Sequence, residues 1–68
     1  MTYHELFDIT KKFSGSIVAG TNENGERVVI EHYRGDEPYF KVTTFQNNNW
    51  TRINYYYKDG STEEIYER

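Results

Sequence analysis

The side chains of this chain that could carry chemistry of their own are few. They are the histidines His4 and His32, the serines Ser14, Ser16 and Ser61, and the C-terminal carboxylates Glu63, Glu64 and Glu67. A zinc site needs three or four converging ligands; two histidines and no cysteine do not supply that spacing. A nucleophilic serine needs a base beside it, and none of these serines lies in a strand-to-helix elbow. Glu63 and Glu64 are neighbours in an extended run, where adjacent side chains point to opposite faces, so they are not an acid–base pair. They read better as charges that keep an edge strand from aggregating. Arg34-Gly35-Asp36 spells a cell-adhesion tripeptide, but Gly-Asp is also what a hairpin turn favours. Gly20 and Gly25 flank Thr21 to Asn24 without a phosphate-binding fingerprint. The expectation is a chain with no catalytic residue, no metal and no cofactor.

The other chemically distinctive set is aromatic. Of 24 hydrophobic residues, 12 are Phe, Trp or Tyr, with nine Ile or Val and a single Leu, Leu6. That balance favours β-structure. Tyr, Trp and Arg are also the side chains that carry interface energy. The question becomes which elements hold these aromatics, and on which face.

Sixty-eight residues make one small domain, spanning 1–68. A chain of this size buries only about 60% of its unfolded surface, which leaves little room for a water-excluding pocket. The net charge of −3 has the wrong sign for a general nucleic-acid binder. No run approaches a membrane span, and Met1 to Glu5 lacks the pattern of a signal peptide. With no cysteine, the composition suits the cytoplasm. The acceptor triplet Asn49-Trp50-Thr51 then has no glycosylation to receive.

The first residues carry helix signals. Thr2 suits an N-cap, with Glu5 three residues on to complete a capping box. Met1 and Leu6 are placed for a hydrophobic staple, and Gly15 for a left-handed stop. Tyr3, Leu6, Phe7, Ile9, Thr10 and Phe13 fall on one arc, and His4, Glu5, Asp8, Lys11 and Lys12 on the other. The pattern predicts a helix over 3–13.

After Gly15 the period becomes two. Turn signals recur at Asn24-Gly25, at Arg34 to Pro38, at Asn47-Asn48 and at Asp59-Gly60. They delimit strands at 16–21, 26–33, 39–46, 49–57 and 61–67, joined as an antiparallel meander. The predicted fold is α+β, with an N-terminal helix packed on one face of a four- to five-stranded antiparallel β-meander.

Turn lengths then set the register. A two-residue turn at Asn47-Asn48 pairs Gln46 with Asn49, Phe45 with Trp50, Val42 with Ile53 and Phe40 with Tyr55. The loop Arg34 to Pro38 pairs Tyr33 with Tyr39, Glu31 with Lys41 and Ile30 with Val42. A Lys58-Asp59-Gly60 loop pairs Ile53 with Ile65; a tighter turn pairs Ile53 with Tyr66 and ranks second. One face thereby collects Val28, Ile30, Phe40, Val42, Ile53, Tyr55 and Ile65, joined by Ile17 and Ala19, as the core under the helix. The other collects Tyr33, Tyr39, Phe45, Trp50, Tyr56 and Tyr66, with Glu31, Lys41, Arg52, Asn54 and Glu64 between them, and has no helix to cover it.

The aromatics have two structural uses to weigh. They can serve as cross-strand pairs that only stabilise the sheet, or the sheet can curl into a small barrel that buries them. The functional expectation is a small non-enzymatic protein-binding module, an inhibitor or adaptor. Its binding residues are Tyr33, Tyr39, Lys41, Phe45, Trp50, Arg52, Tyr56 and Tyr66. The partner is a larger protein or a second copy of the chain, with no membrane involved. Accessory proteins of phages and mobile elements are often of this size. Single-stranded nucleic acid is the further alternative, since bases stack on exposed aromatics. Glu31 and Glu64 on the same face and the negative total charge argue against it.

Overall fold

The computed structural model describes residues 1–12 and 17–67. Helix α1 spans Tyr3–Thr10. The Thr2 hydroxyl oxygen accepts the Glu5 backbone N–H at 3.2 Å and donates to Glu5 Oε1 at 3.2 Å. The cap residue is therefore the expected one, although the carboxylate meets the Thr2 hydroxyl instead of the backbone N–H of a full capping box. Of the expected apolar arc, Tyr3, Leu6 and Thr10 are buried, one turn or two apart. Phe7 and Ile9 are exposed at 46% and 38%. Thr10 satisfies its buried hydroxyl by donating to the Leu6 carbonyl at 2.9 Å. The helix ends earlier than 13; Phe13 and Gly15, assigned to its last turn and its stop, lie outside the described residues.

Five strands follow: β1 Ile17–Thr21, β2 Arg27–Tyr33, β3 Tyr39–Gln46, β4 Asn49–Tyr57 and β5 Thr62–Tyr66. Each bonds its sequence neighbour antiparallel in the order β1-β2-β3-β4-β5, an open meander and not a closed barrel. The turns explain the register. Between β1 and β2, the Gly25 N–H donates to the Asn22 carbonyl at 3.0 Å and the Asn22 N–H to the Glu26 carbonyl at 2.9 Å, with Gly25 at φ +79°. Between β4 and β5 the same loop recurs, with Gly60 N–H to Tyr57 O and Tyr57 N–H to Ser61 O, both 3.0 Å, and Gly60 at φ +94°. Asn47 and Asn48 both take positive φ, 53° and 68°, as a two-residue turn matching the right-handed strand twist requires.

Most expected pairings are present: Ile30 with Val42, Glu31 with Lys41, Tyr33 with Tyr39, Phe45 with Trp50, Gln46 with Asn49, and Ile53 with Ile65. Two are not. Val42 lies opposite Asn54, not Ile53, and Phe40 opposite Tyr56, not Tyr55. The cause is a β-bulge. Phe45 pairs with Trp50 but Thr44 pairs with Arg52, so Thr51 is an extra residue on β4. Its hydroxyl donates to the Thr44 carbonyl at 3.3 Å. Beyond the bulge every side chain of β4 changes face, and β5 follows it through its own ladder.

The core is correspondingly smaller than the sequence suggests. Among the described residues Tyr3, Leu6, Ile30, Phe40 and Val42 form it, with Val18, Val28 and Tyr56 packed against it. Leu6 and Phe40 have no exposed surface. Ile53, Tyr55 and Ile65, expected beneath the helix, stand on the opposite face with their partners Thr43, Lys41 and Ile53. Ile17 and Ala19 also leave the core. They pair with Glu31 and Val29, while Val18 and Gly20 pair with Ile30 and Val28 on the helix side. His32 takes a core place instead, stacked on Phe40 at 4.1 Å between ring centroids.

Candidate protein-binding face

The face of the sheet turned away from α1 divides into two aromatic patches. At one end Tyr33 stacks on Tyr39 at 4.8 Å and 10°, and Tyr39 meets Tyr55 at 6.0 Å and Tyr57 at 5.9 Å. At the other, Phe45 pairs with Trp50 beside the Asn47-Asn48 turn. The two ends are about 20 Å apart along β3 at the usual rise per residue. Between them run Lys41, Thr43 and Ile53, continued on β5 by Ile65, which is 44% exposed. Tyr39, Lys41, Phe45, Trp50, Tyr55 and Tyr57 are all half-buried, and Tyr33 is 40% exposed.

Carboxylates fix the outer tyrosines. Tyr33 donates its hydroxyl to Glu31 Oε2 at 2.9 Å, and Tyr57 donates to Glu63 Oε1 at 3.0 Å. The hydrogen bond to Glu31 holds the Tyr33 phenol above its ordinary pKa. Loss of hydration, then the bond to Glu63, does the same for Tyr57. Both phenols stay neutral, and each hydroxyl is tethered to a carboxylate. The cations of this face are Lys41 and Arg27, the latter opposite Phe45.

Five of the eight expected binding residues therefore share this surface: Tyr33, Tyr39, Lys41, Phe45 and Trp50. Arg52, Tyr56 and Tyr66 do not. The bulge at Thr51 turns Arg52 and Tyr56 toward the helix side, and Tyr66 follows as the ladder partner of Arg52. Asn54 and Glu64 move with them. Tyr55 and Tyr57, absent from the expected set, take their place. The run Tyr55-Tyr56-Tyr57 offers no alternation to show which ring faces where; only the position of the bulge decides.

The displaced residues border a second feature. Because α1 covers only one end of its side of the sheet, an apolar groove of about 500 Å³ remains beside it, lined by Met1, Ile9, Val18, Val28, Val42, Arg52 and Tyr56 among others. Burial, then the charge of Glu64, raises the Tyr56 phenol above its usual pKa, with Arg52 opposing. Arg52 Nε is buried without a hydrogen-bond partner among the described residues. No three His, Cys, Asp or Glu side chains converge as metal ligands among the described residues. No helix among them is long and apolar enough to cross a membrane.

No family model, curated protein or solved structure matches this chain.

Proposed function

We propose that this chain is a small non-enzymatic protein-binding module, an inhibitor or adaptor of the cytoplasm, that docks on a larger protein through the open sheet face. One observation carries the reading: a sheet face with no helix on it presents the Tyr33–Tyr39–Tyr55–Tyr57 cluster and the Phe45–Trp50 pair, with Lys41 between them. The groups that meet there are phenols, an indole, a phenyl ring and aliphatic side chains. That is the chemistry of contact, not of proton transfer. Aromatics with two stiff torsions lose little entropy on binding, and tyrosine cross-strand stacking pre-orders them further. Glu31 and Glu63 beside the exposed rings oppose a phosphate backbone, so the surface suits a protein better than a nucleic acid.

The test compares two double variants in capture from cell extract, followed by reconstitution with the purified captured protein. Tyr39→Ala with Trp50→Ala strips both aromatic patches. Arg52→Ala with Tyr66→Ala strips the helix side. The expected result is a defined complex formed by the wild type and the helix-side variant. The open-face variant should weaken it by about 30-fold or more, as loss of a hot spot worth about 2 kcal/mol implies. The opposite pattern moves the site to the groove, and a dissociation constant that rises steeply with salt assigns the face to nucleic acid.

A further inference from the structure

The two edges of the sheet differ in chemistry. In an antiparallel ladder alternate residues direct both backbone groups at the neighbouring strand. The bond from Asn22 N–H to Glu26 O fixes that alternation in the first hairpin. Val18 and Gly20 therefore bond β2, and Ile17, Ala19 and Thr21 turn N–H and C=O away from the sheet. At the other edge the bond from Tyr57 N–H to Ser61 O sets the same alternation, and Thr62, Glu64 and Tyr66 face outward. None of these outward groups has a backbone partner among the described residues.

We propose that two copies of this chain associate through β1, the strands Ile17–Thr21 pairing antiparallel about a two-fold axis that passes beside Ala19. The outward set Ile17, Ala19, Thr21 is symmetric about Ala19, so this one register gives every outward N–H and C=O of the strand a partner. It places Ala19 against Ala19 of the second copy and Ile17 against Thr21. On the helix side it sets Val18 across from Gly20, a branched side chain over a residue with none. No charge or proline interrupts Ile17–Thr21, which are the usual guards of an exposed edge. Ile17 is 65% exposed and gains cover. The other edge is guarded: the equivalent pairing of β5 centres on Glu64 and sets like charges face to face, which destabilises a ladder. Pairing β1 with β5 has no two-fold and continues without closing. A two-fold perpendicular to the sheet keeps both open faces on one side and both helices on the other. The dimer thus presents the aromatic face twice, as a bivalent surface. The pairing rests on the edge alone and stands whether or not the open face binds a protein.

Light scattering behind a sizing column, over a wide range of concentration, tests it on the full chain. The expected mass approaches twice 8.2 kDa as concentration rises. Ala19→Glu sets two carboxylates on the axis. Ala19→Pro deletes an outward N–H while leaving the β2 ladder its bonds, as an edge strand tolerates. Each should hold the protein at 8.2 kDa with its circular dichroism unchanged. Tyr39→Ala with Trp50→Ala should still dimerise. A wild type that stays at the chain mass throughout overturns the proposal. So does dimerisation that survives both Ala19 variants, or dimerisation lost with the open-face aromatics alone.

Discussion

His32 is an ionisable ring placed where a phenylalanine would serve. It stacks on Phe40, meets Tyr3 and Phe7 edge-on at 6.4 and 6.0 Å, and accepts a hydrogen bond from Arg34 Nε at Nδ1, 3.4 Å away. That bond leaves the proton of the neutral ring on Nε2, which is buried without a partner among the described residues. Burial, reinforced by the Arg34 charge, lowers its pKa below 6.5. The sign of the consequence is fixed. Below about pH 6.5 the unfolded chain binds a proton that the folded ring refuses, so stability present at neutral pH is lost as the pH falls. The unfolding free energy from urea titration should drop between pH 7.5 and 5.5, by at most about 1.4 kcal/mol per pH unit. His32→Phe should retain the fold, because an apolar ring of similar shape replaces an unsatisfied donor, and should flatten that slope. A slope unchanged in His32→Phe assigns the acid sensitivity to other groups.

The strands and turns were legible because their signals are local. Gly25 and Gly60 occupy the left-handed positions that their loops need, and Asn47-Asn48 supplies two residues that tolerate positive φ. These choices fix the start of each ladder, and all five strands follow. The bulge was not legible. Thr51 is an ordinary strand residue, and Ile53, Tyr55, Tyr56 and Ile65 make sensible neighbours on either face, so no mismatch marks the one-residue shift. Three of the eight candidate site residues change face for that single reason: Tyr33, Tyr39, Lys41, Phe45 and Trp50 precede the shift and keep their face, while Arg52, Tyr56 and Tyr66 follow it. The core place of His32 was hidden likewise, since a histidine on a strand near a turn reads as a surface or half-buried residue. The turn that did dictate the register can be tested directly. Asn48 stands at φ +68°, so Asn48→Ala should cost about 1–2 kcal/mol in urea denaturation. Asn48→Gly should cost nothing and restore the preferred Asn-Gly turn. Equal losses for both would show that the Asn48 side chain, and not its backbone conformation, holds the hairpin.

At the scale of the molecule, one short helix covers part of one side of a five-stranded sheet, and the buried apolar cluster among the described residues is five side chains. At 0.05–0.15 kcal/mol per residue, a domain of this length has roughly 3–10 kcal/mol of stability. Leu6 is the helix residue with no exposed surface, seated among Ile30, Phe40 and Val42. Leu6→Ala should cost about 2–5 kcal/mol, much or all of that reserve, and thermal melts should show a transition moved down by tens of degrees or absent. Tyr66→Ala, at a ring 62% exposed, should melt close to the wild type despite removing the larger side chain. The contrast ties stability to the buried contact between α1 and the sheet and not to the size of the side chain removed. If Leu6→Ala instead melts normally, the helix contributes little. The sheet would then be held by its cross-strand aromatics, and the Tyr33–Tyr39–Tyr55–Tyr57 cluster would be structure before it is interface. In that event Tyr39→Ala with Trp50→Ala should unfold the protein, and the docking reading would lose the observation it stands on.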